Sequence, residues 1–293
     1  SSAKKMLRLA GVAYVERGEE LVILGDPALE MANMFGREAR RPLSAGVVSS
    51  NDVDAMEVLG LLVRNVLGEP KCPGEHCYFS IPAAPVDVPG SDTIYHSGVL
   101  SRIVKECGYT PTPSNEAMAI VFAETAKDNF SGVGASFGSG MSNFAVAMNT
   151  VPGATFSVAR GGDWIDAGAA KSLGSTASRM CALKEKGVDL ANPSGREAEA
   201  VAFYYRSLIE YALDAVAAQF RTLGASFTLP RPIPFVVSGG TSRAQGFLDL
   251  FGRLFEERRK RFPFEVSEVR PAADPMNAVA AGLLIQASQE YEE

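Results

Sequence analysis

The run Pro234-Phe-Val-Val-Ser-Gly-Gly-Thr-Ser-Arg243 constrains the fold more than any other stretch of the chain. An apolar segment, Phe235 to Val237, stops abruptly in Ser-Gly-Gly-Thr-Ser, the pattern of a short buried strand that turns at a glycine pair. Without a Cβ the backbone there can turn sharply and lie close to a ligand. The amphipathic run that follows, Ala244 to Arg259, reads as a helix whose first amides face back toward the turn. Such a strand–turn–helix suits a nucleotide or an anion. An ordinary tight turn explains a single Gly-Gly equally well. A second glycine-rich turn, Gly138-Ser-Gly140, favours the ligand-binding reading.

At 293 residues the chain has room for one large domain or two, at about 100–200 residues each. Its 46% hydrophobic and 21% charged content is that of a globular protein. The net charge of −6 and the lack of a basic face argue against nucleic acid, whose phosphates need clustered cations. The one basic run, Arg258-Arg-Lys-Arg261, reads as a solvated helix end. No apolar run approaches the ~20 residues that span a bilayer, and no signal-peptide core follows the start. A cytoplasmic location with reduced thiols is expected. Cys72 and Cys77 flank His76, but a structural zinc site wants four ligands, usually from two such pairs. Cys107 and Cys181 stand alone, so no metal site is read.

The pattern is mixed α/β. Leu9 to Val15 and Glu20 to Leu24 read as a hairpin around Arg17-Gly18. Helices are expected at Asp26–Phe35, at Asp52–Leu67 (capped by Asn51 or Asp52) and at Ser91–Cys107, with strand Tyr78–Ile81 between the last two. Asn115–Thr125 is again helical, and Ala135–Gly140 is a glycine turn. Asn143–Asn149 and Ala154–Ala159 pair around Val151-Pro-Gly153. Three helices follow, Trp164–Leu173, Ser175–Lys186 and Gly195–Leu223. A strand at Phe264–Val269 and a helix at Pro275–Gln289 close the chain.

This order of elements resembles the actin-like ATPase family, in particular bacterial filament proteins of the MreB and MamK kind. Arg41-Pro-Leu-Ser-Ala-Gly-Val-Val48 resembles the family's R-P-L-x-x-G-V-I, and Gly25-Asp-Pro-Ala28 its G-D-x-A. Ser80-Ile-Pro-Ala83 resembles a core strand edge, and Glu116-Ala-Met-Ala119 stands where the family has E-P-x-A. Gly138-Ser-Gly-Met-Ser142 falls on the second phosphate loop. Gly161-Gly-Asp-Trp-Ile-Asp166 resembles G-G-D-x-(I/L)-D, and Leu183-Lys-Glu-Lys186 resembles I-K-E-K. Ser238-Gly-Gly-Thr-Ser242 resembles the adenosine loop, and Asp274 to Gly282 the closing helix. The matches are collinear from about residue 24 to 283.

The resemblance implies a two-domain fold of the actin, hexokinase and heat-shock chaperone type around a nucleotide cleft. Residues 1–124, completed by 273–293, form the first domain and 125–272 the second, with a reduced helical upper part at about 163–207. It implies ATP or ADP bound by Gly138, Ser139, Gly140, Met141, Ser142, Gly162, Lys184, Glu185, Gly239, Gly240 and Thr241. On spacing alone, Lys184 and Glu185 are equally an ordinary surface ion pair. Glu116 corresponds to the residue that positions the attacking water. Self-association into filaments is implied, and an accessory protein partner fits the same reading.

Two departures remove carboxylates. Ser136 stands where the family's phosphate loop has an aspartate that helps hold hydrated Mg²⁺, so Mg²⁺ is expected to be held poorly. The chain also starts near the end of the family's first phosphate hairpin, Asp-x-Gly-(Thr/Ser), so that hairpin is either lost from the polypeptide or lies outside the sequence given. Weak or lost ATP hydrolysis is expected in consequence. The alternative is a non-polymerising, non-catalytic scaffold of the same fold. A small-molecule kinase is disfavoured, because no motif supplies a catalytic aspartate in a substrate cleft.

Overall fold

The computed structural model describes residues 2–12, 14–34, 41–48, 54–91, 93–222 and 231–290. The expected caps Asn51 and Asp52 and the expected helix ends Phe35 and Leu223 lie outside them. Packing divides the chain into two compact units, Ser1–Leu43 with Ser49–Gly68, and Ser44–Val48 with Glu69–Glu293. The boundaries expected near 124 and 272 both fall inside the second unit.

The first unit holds α1 (Ser2–Leu9), the antiparallel hairpin β1 (Tyr14–Arg17) and β2 (Glu20–Ile23), α2 (Asp26–Met34) and α3 (Ala55–Leu67). The extended segment expected from Leu9 is a helix up to that residue. Ala3, Met6, Leu7 and Ala10 recur at helical spacing, and Leu7 is buried. Lys4 pairs with Glu16 at 2.6 Å, tying α1 to the hairpin.

Two short strands follow at the junction, β3 (Leu43–Ser44) and β4 (Val47–Val48), then β5 (His76–Ile81), α4 (Ile94–Glu106) and β6 (Thr110–Asn115). β6 pairs in parallel with β5, from His76↔Thr110 to Ile81↔Asn115. Pro111 and Pro113 hide this strand from a propensity reading. An edge strand tolerates proline where the missing N–H faces away from its neighbour.

The remaining elements are α5 (Glu116–Glu124), β7 (Gly132–Phe137), β8 (Ser142–Met148), β9 (Val151–Val158), α6 (Gly162–Leu173), α7 (Ala177–Lys186), α8 (Arg196–Thr222), β10 (Ile233–Ser238), α9 (Phe247–Arg258), β11 (Val266–Pro271) and α10 (Ala278–Glu290). The strands form one sheet in the order β11-β10-β7-β8-β9, with β7, β10 and β11 parallel and β8 antiparallel to both its neighbours. From Gly162 to Thr222 every described element is a helix.

Alternation along the strands sorts the side chains. Val133, Ala135 and Phe137, with Phe144, Val146 and Phe235, face one core together with α8 and α9. Gly134, Ser136, Asn143, Ala145 and Ala147 occupy the other face, under α5. Those residues are small, so α5 comes in close: a methyl at Gly134 would strike the Ala117 carbonyl oxygen. α10 closes on the far side of α5, where a methyl at Gly282 would strike the Ala119 carbonyl oxygen. Helix α5 is thereby clamped between the sheet and α10, and its first residue is Glu116.

The basic run beyond α9 is not a free cationic face. Arg258 and Arg261 pair with Asp214 at 3.0 and 2.7 Å, and Arg259 with Glu256 at 3.1 Å. None of the described helices is long and apolar enough to cross a membrane.

Candidate functional site

The end of β7 leads into the turn Gly138–Met141, closed by the Gly138 N–H on the Met141 carbonyl at 3.0 Å. Two other loops meet this turn. The Gly162 N–H donates to the Gly138 carbonyl at 2.9 Å, and the Asp163 N–H to the Ser139 carbonyl at 2.8 Å. From the strand–turn–helix after β10, the Thr241 hydroxyl donates to the same Gly138 carbonyl at 2.9 Å. Gly138, Ser139, Gly162 and Thr241, expected to act together, are one hydrogen-bonded cluster.

The glycines here differ in what they are for. Gly239 has φ +95°, and a methyl on it would strike the Phe137 carbonyl, so it is fixed by the fold. Gly161 abuts the Ser139 carbonyl, and Gly140 abuts the Ala45–Gly46 turn. Gly240 is exposed, and a methyl there would meet only the Met276 sulfur, at 3.6 Å. The fold does not require glycine at position 240.

Lys184 is used inside the protein. Its Nζ donates to Asp166 Oδ2 at 2.6 Å and to the Gly162 carbonyl at 3.0 Å, which ties α7 to the start of α6. Burial pushes the Asp166 carboxyl up, and the Lys184 bond and charge pull it partly back. Glu185 lies on the exposed side of α7, where it accepts from the Cys181 thiol at 3.5 Å. Burial raises that thiol to about 11, so it stays protonated. Met141 and Ser142 are buried, the Ser142 hydroxyl donating to the Arg160 carbonyl at 2.8 Å.

Glu116 sits one strand residue pair away from the turn. Asn115 caps α5 by accepting from Ala117 and Met118, each at 3.1 Å, which starts the helix with Glu116 aimed at the sheet. Ser136 and Asn143 are cross-strand partners on that face. The Ser136 hydroxyl donates to Glu116 Oε1 at 2.5 Å and Asn143 Nδ2 to Oε2 at 3.3 Å. Burial raises the Glu116 carboxyl above its ordinary value, against the lowering effect of the Ser136 bond. Sequence reasoning missed the parts played by Asn143 and Asp166. Asp166 lay in a quoted motif, and Asn143 would have been found only from the β7–β8 register.

The donor set around Glu116 does not suit a tightly held Mg²⁺, which takes one or two carboxylates beside the phosphates. Both Glu116 oxygens are engaged and Asp166 is committed to Lys184. Among the described residues no three His, Cys, Asp or Glu side chains cluster as metal ligands.

A five-stranded mixed sheet whose loops gather three glycine turns, with a carboxylate at the head of the helix beneath, is the actin-like ATPase fold. The chain belongs to the Volactin family, which matches over residues 1–287. It is similar in structure to the MamK double helical filament, at TM-score 0.70 and 18% identity over 98% of this chain and 88% of that one. It is also similar to MreB 5 of Spiroplasma citri bound to AMPPNP, at TM-score 0.61 and 17% identity over 96% and 89%. The ethanolamine utilization protein EutJ from Carboxydothermus hydrogenoformans gives TM-score 0.55 and 20% identity over 85% and 79%. No curated protein matches the chain.

Proposed function

We propose that this chain is a nucleotide-binding, filament-forming actin-like protein whose ATP hydrolysis is weak or lost. The observation that carries the reading is Gly240. It stands exposed beside a cluster joining Gly138, Gly162 and Thr241, at a position where the protein itself has no need of glycine. Close approach of a base or ribose explains it. ATP or ADP is the ligand assigned, in keeping with an AMPPNP-bound relative. Gly138 to Ser142 border the phosphates, Gly162 and Lys184 hold the turn that faces them, and Glu185 with Gly239 to Thr241 border the nucleoside.

Glu116 is the group assigned to orient water at the terminal phosphate. Phosphoryl transfer depends on such positioning together with charge stabilisation. The second requirement is the weak one here, because Ser136 brings no charge. Functional halves at 1–124 with 273–293, and at 125–272, are assigned from the resemblance to the actin-like family. Self-association is assigned by analogy with the filament of MamK. The alternative reading is a scaffold of the same fold that does not polymerise.

Phosphate release and high-speed sedimentation in the presence of ATP test this reading together. Nucleotide-dependent pelleting with little phosphate release is expected. Robust Mg²⁺-dependent turnover that Glu116→Ala abolishes would show that Ser136, in place of an aspartate, does not limit hydrolysis. A chain that binds ATP and never pellets would leave the scaffold reading in its place.

A further inference from the structure

Asn143 has no part in the site as read from sequence, yet it is 2% exposed and aimed at Glu116. Its Nδ2 donates to Glu116 Oε2, and its Oδ1 is buried without a protein donor. The Ser136 hydroxyl meets the other carboxyl oxygen, Oε1, at 2.5 Å. The two neighbours differ in kind. A hydroxyl donates or accepts, so Ser136 suits Oε1 with or without a proton. The amide NH₂ only donates, so it suits Oε2 only when that oxygen carries no proton.

We propose that Asn143 is a positioning residue for Glu116, holding Oε2 as a fixed acceptor so that the carboxyl proton is confined to Oε1 and Ser136. This rests on the reading of Glu116 as the reactive carboxylate of the site. An N–H donated to Oε2 favours the ionised carboxyl over the protonated one. Around Glu116, β7 presents Ser136 and β8 presents Asn143, neither of which titrates near neutrality. No charged side chain among the described residues contributes to the Glu116 shift, which has burial and the Ser136 bond as its causes. The spare Oδ1 leaves the same amide with an acceptor for a group from outside the chain.

The test is a titration of the Glu116 side-chain carboxyl by carbon-13 NMR on the whole, nucleotide-free protein, with the parent, Asn143→Leu and Asn143→Asp. Asn143→Leu keeps the bulk and loses the donor. Its Glu116 midpoint should rise by about one unit, a tenfold gain in proton affinity. Asn143→Asp should give two coupled steps, because adjacent carboxylates share a proton. If Asn143→Leu fails to fold, the single or double character of the Asn143→Asp titration decides alone. A Glu116 midpoint unchanged in Asn143→Leu, or a single unshifted step in Asn143→Asp, overturns the proposal. Because nucleotide is absent, neither result depends on whether the chain binds ATP.

Discussion

The Ser136 hydroxyl and Glu116 Oε1 meet at 2.5 Å, which places a neutral donor against the one carboxylate at the head of α5. Burial raises the Glu116 carboxyl, so the folded protein holds that proton more tightly than the unfolded chain does. Stability contributed by the protonated form is therefore lost as pH rises from the ordinary glutamate range through the folded value. Glu116→Gln should equal the parent in melting temperature near pH 4 and exceed it at pH 8. Ser136→Asp should do the reverse, losing stability as pH rises by about 1.4 kcal/mol for each unit of further shift. Thermal melts across that pH range check both signs.

Lys184 and Asp166 are 13% and 4% exposed, so the pair is a buried one. Removing one partner of such a pair costs about 3–5 kcal/mol, chiefly through the charge left behind. Lys184→Met should be destabilised by that order at pH 7 and should recover as pH falls, because Asp166 alone can take a proton. Asp166→Asn with Lys184→Met together should lie closer to the parent than Lys184→Met. Urea midpoints of the three proteins at two pH values decide it.

Gly282 and Gly252 are both helical glycines with opposite surroundings. A methyl at Gly282 meets the Ala119 backbone, and one at Gly252 on α9 meets nothing within 4 Å. Gly282→Ala should destabilise by roughly 1–3 kcal/mol through overpacking of α10 on α5. Gly252→Ala should stabilise by about 0.5–1 kcal/mol through helix propensity. Equal midpoints for the two variants would contradict the packing described.

Period and punctuation made much of this legible. The apolar face of α8, the amphipathic α9 and the strand ending at Ser238 are local patterns, and the structure keeps them within a few residues. What stayed hidden depends on distant partners. Pro111 and Pro113 disguise a strand that exists because β5 lies beside it. Lys184 is held by Asp166, 18 residues away in sequence, a contact no local pattern carries. Asn143 acquires its partner only when β8 pairs with β7 under α5, 27 residues from Glu116. Spacing along the chain does not encode such meetings.

Nucleotide binding at the Gly240 loop can be measured by calorimetric titration of ATP into the parent chain, Gly240→Val and Gly252→Ala. Position 240 is exposed, and a methyl there meets only the Met276 sulfur, so Gly240→Val should fold and melt like the parent. The parent and Gly252→Ala should bind, and Gly240→Val should give no measurable heat. Binding of equal strength by all three proteins, or by none of them, would contradict it.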